Sequence, residues 1–203
     1  MMDYTSLSDV HNSMSGDNIT TAQDTILSSF ITKASRLLDM LSTGINGRDA
    51  ADYFAKADVV NEVLTNATVD YMGILHVYPH KYMVNSVASL SYRYTLRSAY
   101  QPADLSLIDI QNEDVMFEGG LLPSERLRVQ ISYNGGLAEE QTDLPSDFID
   151  LATMIAVRLY KEARGNYTDA IGIAELGTMI YTKAFPARFR ETFPTYERTA
   201  PWT

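Results

Sequence analysis

The densest set of residues able to do chemistry is Glu139, Glu140, Asp143, Asp147 and Asp150. Carboxylates at this density can ligate a divalent cation or divide into a general acid and a general base. A structural account competes with that one. Carboxylates flanking a helix start are favoured by the positive end of the helix dipole, whatever else they do. The histidines His11, His76 and His80 offer less: His76 and His80 are four apart but separated by Pro79, so they cannot share a helix face as a metal-binding pair would. No G-x-S-x-G elbow, P-loop or G-x-G-x-x-G cradle occurs. With no cysteine, thiolate ligands, cysteine nucleophiles and disulfides are excluded. No catalytic residue, metal site or cofactor is expected.

The acids lie inside the segment 131–165, which reads as strand, turn, acidic loop and helix. Leu127, Val129, Ile131 and Tyr133 alternate with Arg128, Gln130 and Ser132, the period of a half-buried strand. Asn134-Gly135-Gly136 is expected to end it as a turn. Pro145 suits a first helical position, and Asp143 and Asp147 suit the helix dipole. Phe148, Ala152, Ile155, Leu159 and Ala163 then form one apolar stripe, widened by Ile149, Ala156 and Tyr160. Met154 and Val157 fall on the other face, beside Asp150, Arg158, Lys161 and Arg164. Scattered surface apolars are common, and a contact between subunits accounts for these two equally well. Met154, Val157, Arg158 and Lys161 are therefore the candidate subunit seam. Arg158 is also spaced to pair with Glu162.

Upstream, residues 1–20 are polar and aperiodic, as expected of a flexible arm. A long amphipathic helix follows from Thr20 or Thr21 to Thr43, with Ile26, Leu27, Phe30, Ile31, Ala34, Leu37, Leu38 and Leu41 on one face. Short β-prone runs occupy 53–55, 58–64, 74–78, 84–94, 107–110, 115–117 and 127–133, punctuated by Asn, Gly and Pro. Residues 170–184 mix helix formers with Gly172 and Gly177 and fit no single element. Pro186 opens an expected short helix that Pro194 closes. The chain therefore reads as α+β, mainly α with a β-rich insertion: an arm at 1–20, a core of helix, β insertion and helix at 21–184, and a C-terminal helix and tail at 185–203. Within that tail Arg188, Arg190, Tyr196, Arg198 and Trp202 combine arginine and aromatic residues, a composition typical of protein interfaces.

Composition sets outer limits. The 203 residues are 45% hydrophobic and 21% charged, as in ordinary globular domains, and no apolar run approaches bilayer length. The opening residues lack a basic n-region and an apolar core, so a cytosolic origin is expected, and sequons at Asn18, Asn66 and Asn166 then carry no meaning. A formal net charge of −10 argues against a protein that grips nucleic acid by neutralising phosphates. Solubility is the simpler account of it, and an acidic wall past which DNA slides is the alternative.

The order of these pieces resembles a known family. DTILSSFITKASRLLDMLSTGINGR, LHVYPHKYMVNSVASL, VQISYNGGL with DLPSDFIDLATMIAVRLYKEARG, and GIAELGTMIYTKAFPARFRETFPTYER are similar, in that order, to segments of tailed-bacteriophage head-tail connector proteins. The resemblance covers roughly residues 24–198. It implies a non-enzymatic virion neck component, made in the host cytoplasm, that forms an adaptor ring, usually a dodecamer, between the portal and the tail or its stopper. Such a ring extends the DNA channel without binding DNA specifically and touches no membrane. By the same resemblance the C-terminal residues Arg188, Arg190, Tyr196, Arg198 and Trp202 would meet the portal. The chain departs from the family in two places: the polar stretch 1–20 stands where a short helix is usual, and Gly44 to Arg48 is longer than the usual Thr-Gly-Arg turn. Three other readings remain open: another neck or tail-completion protein of the same virion, a small metal-dependent enzyme using the carboxylates of 139–150, and a host-directed binding module.

Overall fold

A computed structural model of the chain describes residues 2–15, 20–43, 52–65, 67–111, 113–124, 127–164, 170–173, 177–180 and 192. The fold is α+β. Its described residues divide into a β unit within Asp52–Glu139 and a helical unit drawn from Met1–Ala51 and Glu140–Glu197.

The described residues of the β unit form eight strands: β1 Ala57–Leu64, β2 Thr68–Val69, β3 Leu75–Val77, β4 Val84–Arg93, β5 Gln101–Pro102, β6 Ile108–Gln111, β7 Asp114–Phe117 and β8 Arg128–Gly135. They form two antiparallel sheets, ordered β1-β8-β4-β5 and β2-β3-β7-β6. The strict alternation of β8 does what its sequence period dictates, sending Val129, Ile131 and Tyr133 inward. There they join Leu64, Leu75, Val77, Leu90, Val115 and Phe117 from both sheets in one core. The rings of Tyr92 on β4 and Phe117 on β7 lie 6.0 Å apart within it.

Two expectations about the strands need correction, and two short strands are additional. Asn134 and Gly135 do not form a turn: β8 continues through Gly135, with Asn134 opposite both Asp58 and Ser86. Flanking strands on both sides capture a dipeptide that would turn in an isolated hairpin. Only Gly136 leaves the extended region, at φ 114°, and its N–H donates to the carbonyls of Tyr82 at 2.8 Å and Met83 at 3.1 Å. Residues 53–55 form no strand, because Tyr53 and Phe54 are buried against Tyr82 as an aromatic cluster, with centroids 4.8–5.8 Å apart. The two-residue strands β2 and β5 carry too little pattern for the sequence to announce them.

The helical unit contains α1 Leu7–Ser13, α2 Thr21–Thr43 and α3 Ser146–Arg164, followed by an antiparallel pair, β9 Ala170–Ile173 with β10 Gly177–Ile180. Pro145 directly precedes α3, and its carbonyl accepts the N–H groups of Phe148 and Ile149 at 3.0 Å. Leu27, Phe30, Ile31, Ala34 and Leu38 of α2 are buried with Phe148, Leu151, Ala152, Ile155, Ala156 and Tyr160 of α3. The Phe30 and Tyr160 rings meet edge-on at 6.2 Å. The apolar stripes differ from expectation at their margins. Ile26 and Leu41 are 50% and 37% exposed, while Ser35, Asp39, Ser42, Leu151 and Thr153 are buried. Leu159 is only half-buried.

The N-terminal segment explains the buried polar groups. Expected as part of a flexible arm, residues 7–13 are instead helical, started by a capping box in which Ser6 Oγ accepts the Asp9 N–H at 3.1 Å and Asp9 Oδ2 accepts the Ser6 N–H at 3.0 Å. Tyr4, Val10 and Met14 are buried, and Tyr4 packs edge-on against Phe148 at 5.3 Å. The Tyr4 N–H donates to Ser35 Oγ at 2.9 Å, and its hydroxyl donates to Asp39 Oδ1 at 2.6 Å. The hydroxyls of Thr5 and Thr153 are 2.6 Å apart. These are the partners that buried polar groups require. A stretch with few apolar residues is thus ordered by a few well-placed contacts, which composition alone does not reveal. Among the described residues, no helix is long and apolar enough to cross a membrane.

Candidate functional site

The helical unit carries a cleft of ≈ 330 Å³ lined by Asp9, Asn12 and Ser13 of α1 and by Ile149, Asp150, Thr153 and Met154 of α3. Two helices packed side by side leave a furrow, and short side chains on α1 keep it open. Asp9 is fixed on its rim. The hydroxyl of Ser6 donates to it at 2.6 Å and Gln141 Nε2 donates at 3.1 Å. These hydrogen bonds, Ser6 foremost, hold the Asp9 carboxyl below its ordinary range, so it carries its charge at neutral pH. Apolar Ile149 and Met154 with acidic Asp9 and Asp150 make a surface able to receive a side chain that is apolar along its length and donates a hydrogen bond at its tip.

The β unit carries a projecting turn between β2 and β3. Asp70 Oδ1 accepts the N–H groups of Met72 at 2.8 Å and Ile74 at 2.9 Å, an Asx turn that fixes the backbone of the residues between. The Ile74 N–H is the chief cause holding the Asp70 carboxyl below its ordinary value, with Met72 and His76 acting in the same direction. Gly73, at φ 83°, receives the Leu121 N–H on its carbonyl at 2.9 Å. Tyr71 and Met72 at the tip are 94% and 63% exposed, and nearby Leu122 is 75% exposed.

The carboxylates of 139–150 are dispersed rather than gathered. Glu139 pairs with Lys56 at 3.1 Å in the β unit. Asp143 belongs to a 3-10 turn over Gln141–Asp143, and Asp147 to the first turn of α3. Among the described residues, no three His, Asp or Glu side chains are grouped so as to hold a metal ion. Each histidine instead meets a carboxylate: His11 Nε2 lies 2.9 Å from Asp24, His76 Nδ1 lies 2.8 Å from Asp114, and His80 contacts Glu62.

Of the residues singled out for a subunit seam, Met154 lines the cleft, and Met154, Val157, Arg158 and Lys161 are all half-buried. Arg158 Nε pairs with Glu162 at 2.7 Å, as its spacing foretold. Arg188, Arg190, Tyr196, Arg198 and Trp202, and the helix expected from Pro186 to Phe193 apart from Thr192, lie outside the described residues.

No family model matches the chain, and no curated protein does. Solved structures do. The fold is shared with a particle neck chain. That chain comes from the neck of an empty gene transfer agent particle computed with C6 symmetry; the TM-score is 0.53 at 14% identity, over 97% of this chain and 90% of the other. Chains of the native gene transfer agent virion, and of its neck computed with C12 symmetry, match with TM-scores of 0.47 and 0.43 at 14% and 13% identity, covering 90% and 97% of this chain and 82% and 92% of theirs. At this identity the first likeness concerns the fold.

Two surface features are not evident from periodicity or composition. The α1 side of the cleft falls in a polar, aperiodic stretch, yet Ser6-x-x-Asp9 before an apolar Val10 is the signature of a helix start. The tip at Tyr71 and Met72 lies between two β-prone runs, where Asp70 followed at a short interval by Gly73 is a turn signal.

Proposed function

We propose that the chain is a structural component of a virion neck, a non-enzymatic adaptor that forms a ring between the portal of the DNA-filled head and the tail. The observation that carries this reading is the fold shared with the neck chain of a gene transfer agent particle, which extends over 97% of the present chain. The sequence order of helix, β insertion, helix and aromatic-arginine tail supports it independently. In this role twelve copies surround the channel, and a net charge of −10 lets DNA pass without being held. Met154, Val157, Arg158 and Lys161 belong to the seam between neighbours. Arg188, Arg190, Tyr196, Arg198 and Trp202 dock on the portal, and the other face receives the stopper or tail. The protein acts by assembly and needs no cofactor.

The test is to mix the purified chain with portal rings and image the mixture by negative stain. A second ring stacked coaxially on the portal is the expected result, lost on deletion of residues 185–203. Heads that join tails normally in the absence of the chain would refute the reading. Calorimetry with Mg²⁺, Mn²⁺ and Ca²⁺ discriminates the enzymatic rival: no heat is expected, and saturable binding abolished by neutralising Asp147 and Asp150 would favour the rival.

A further inference from the structure

We propose that neighbouring copies in the ring are joined by a knob and a cleft: the turn bearing Tyr71 and Met72 of one copy enters the cleft between α1 and α3 of the next. The inference rests on the ring reading above and assigns the contact that closes the ring. A cyclic ring needs a heterologous interface, in which two different patches of the same chain complement each other across copies. Among the described residues, the turn at Tyr71 and Met72 and the cleft between α1 and α3 match in size and chemistry.

The knob is preorganised. Asp70 fixes the backbone on either side of Met72, and the Leu121 N–H ties Gly73 in place, so docking orders only side chains. Tyr and Met are among the residue types enriched at interfaces, and here they are adjacent and 94% and 63% exposed. The cleft has ≈ 330 Å³ of room. A cavity of about 150 Å³ is enough to hold benzene, so this one accepts the Tyr71 ring together with part of Met72. Ile149 and Met154 offer the apolar wall, and the carboxylates of Asp9 and Asp150 offer acceptors for the phenol O–H. An acidic rim would repel an acidic knob. The one carboxylate of this tip, Asp70, is turned back onto the N–H groups of Met72 and Ile74 and towards His76, which leaves an aromatic and a thioether as the exposed residues. Met154, placed on the outer face of its helix by sequence alone, thereby gains a partner.

The absence of native cysteine gives a direct experiment. Particles are made in cells that supply the full chain either as Tyr71→Cys together with Met154→Cys or as each single variant, with Asn12→Cys replacing Met154→Cys as a second reporter on the exposed side of the cleft. Mild oxidation of the double variants is expected to give a ladder of covalent multimers extending beyond the dimer, and the single variants none. A mixture of the Tyr71→Cys chain with the Met154→Cys chain is expected to give heterodimers, and Tyr71→Ala is expected to lower incorporation into particles about tenfold or more. A ring visible in particles with no cross-link from either reporter overturns the contact and leaves the ring reading standing. A cross-link in Tyr71→Cys alone means a two-fold contact between tips and likewise overturns it. If the wild-type chain is missing from the particle neck, the ring reading fails and the contact with it.

Discussion

The Tyr4 hydroxyl donates to the Asp39 carboxylate at 2.6 Å, with both side chains sealed from solvent, so the third residue of the described chain is bonded near the C-terminal end of α2. Arg36 Nη1 approaches the other oxygen of Asp39 at 2.8 Å, and its guanidinium lies over the Tyr4 ring at 5.5 Å. Removing the hydroxyl alone leaves a buried carboxylate short of one donor. Tyr4→Phe is therefore expected to destabilise the helical unit by about 1.5–3 kcal/mol, the range for hydrogen bonds to charged groups. Urea unfolding followed by far-UV circular dichroism measures it, and a change under about 0.5 kcal/mol would show that Asp39 is satisfied without Tyr4.

Two glycines with positive φ separate backbone conformation from space. At Gly136 an added Cβ would stand 2.5 Å from the Ala55 carbonyl oxygen, whereas at Gly120, φ 61°, nothing lies within 4 Å. Gly120→Ala should cost about 1–2 kcal/mol, the left-handed penalty alone. Gly136→Ala adds a main-chain clash and should cost upwards of about 3 kcal/mol. Thermal melts of the two variants test the order, and equal shifts would contradict it.

Asp9 predicts a feature of the acid limb. Its folded carboxyl sits below the ordinary value, chiefly through the Ser6 hydroxyl, so its stabilising effect is complete above the unfolded carboxyl range. That contribution is lost as pH falls through the lower folded value. Asp9→Asn should therefore flatten the decline in stability between about pH 5 and pH 2 while lowering stability at pH 7. Unfolding curves at intervals over that range decide it; an unchanged slope would mean that other carboxylates set the acid limb.

Arg158 and Glu162, one helical turn apart at 2.7 Å and only partly shielded, should add little to the fold. Arg158→Ala is expected to change unfolding free energy by less than about 1 kcal/mol. If Arg158 belongs to the subunit seam, the same substitution weakens ring formation on the portal, seen as fewer stacked rings in stained images. A large loss of stability with normal rings would remove it from the seam.

Much of the fold was legible because period and burial coincide where elements are long. The stretch 127–133 alternates cleanly, and β8 follows it; Leu27, Phe30, Ile31, Ala34 and Leu38 repeat at helical spacing, and α2 buries them. Legibility fails where a tertiary partner overrides a local signal. Asn134-Gly135 is a turn only when no strand flanks it on both sides, and β1 and β4 do. Ser35 and Asp39 break the apolar stripe of α2 because Tyr4 arrives from outside the helix to bond them. The cleft combines residues more than 130 positions apart, Asp9 with Asp150, and no local pattern announces such a pairing.

The placement of β8 between β1 and β4 governs the order in which the chain can fold. β1 and β4 do not pair with each other, so the larger sheet has no centre until residues 128–135 have been synthesised. The α2 helix likewise waits for α3, which begins only eleven residues after β8 ends, at Ser146. A nascent chain therefore exposes the apolar faces of α2, β1 and β4 together and covers all of them within one short interval. Such long-range closure is slow compared with local helix packing, and it leaves the half-made chain open to chaperones and to aggregation.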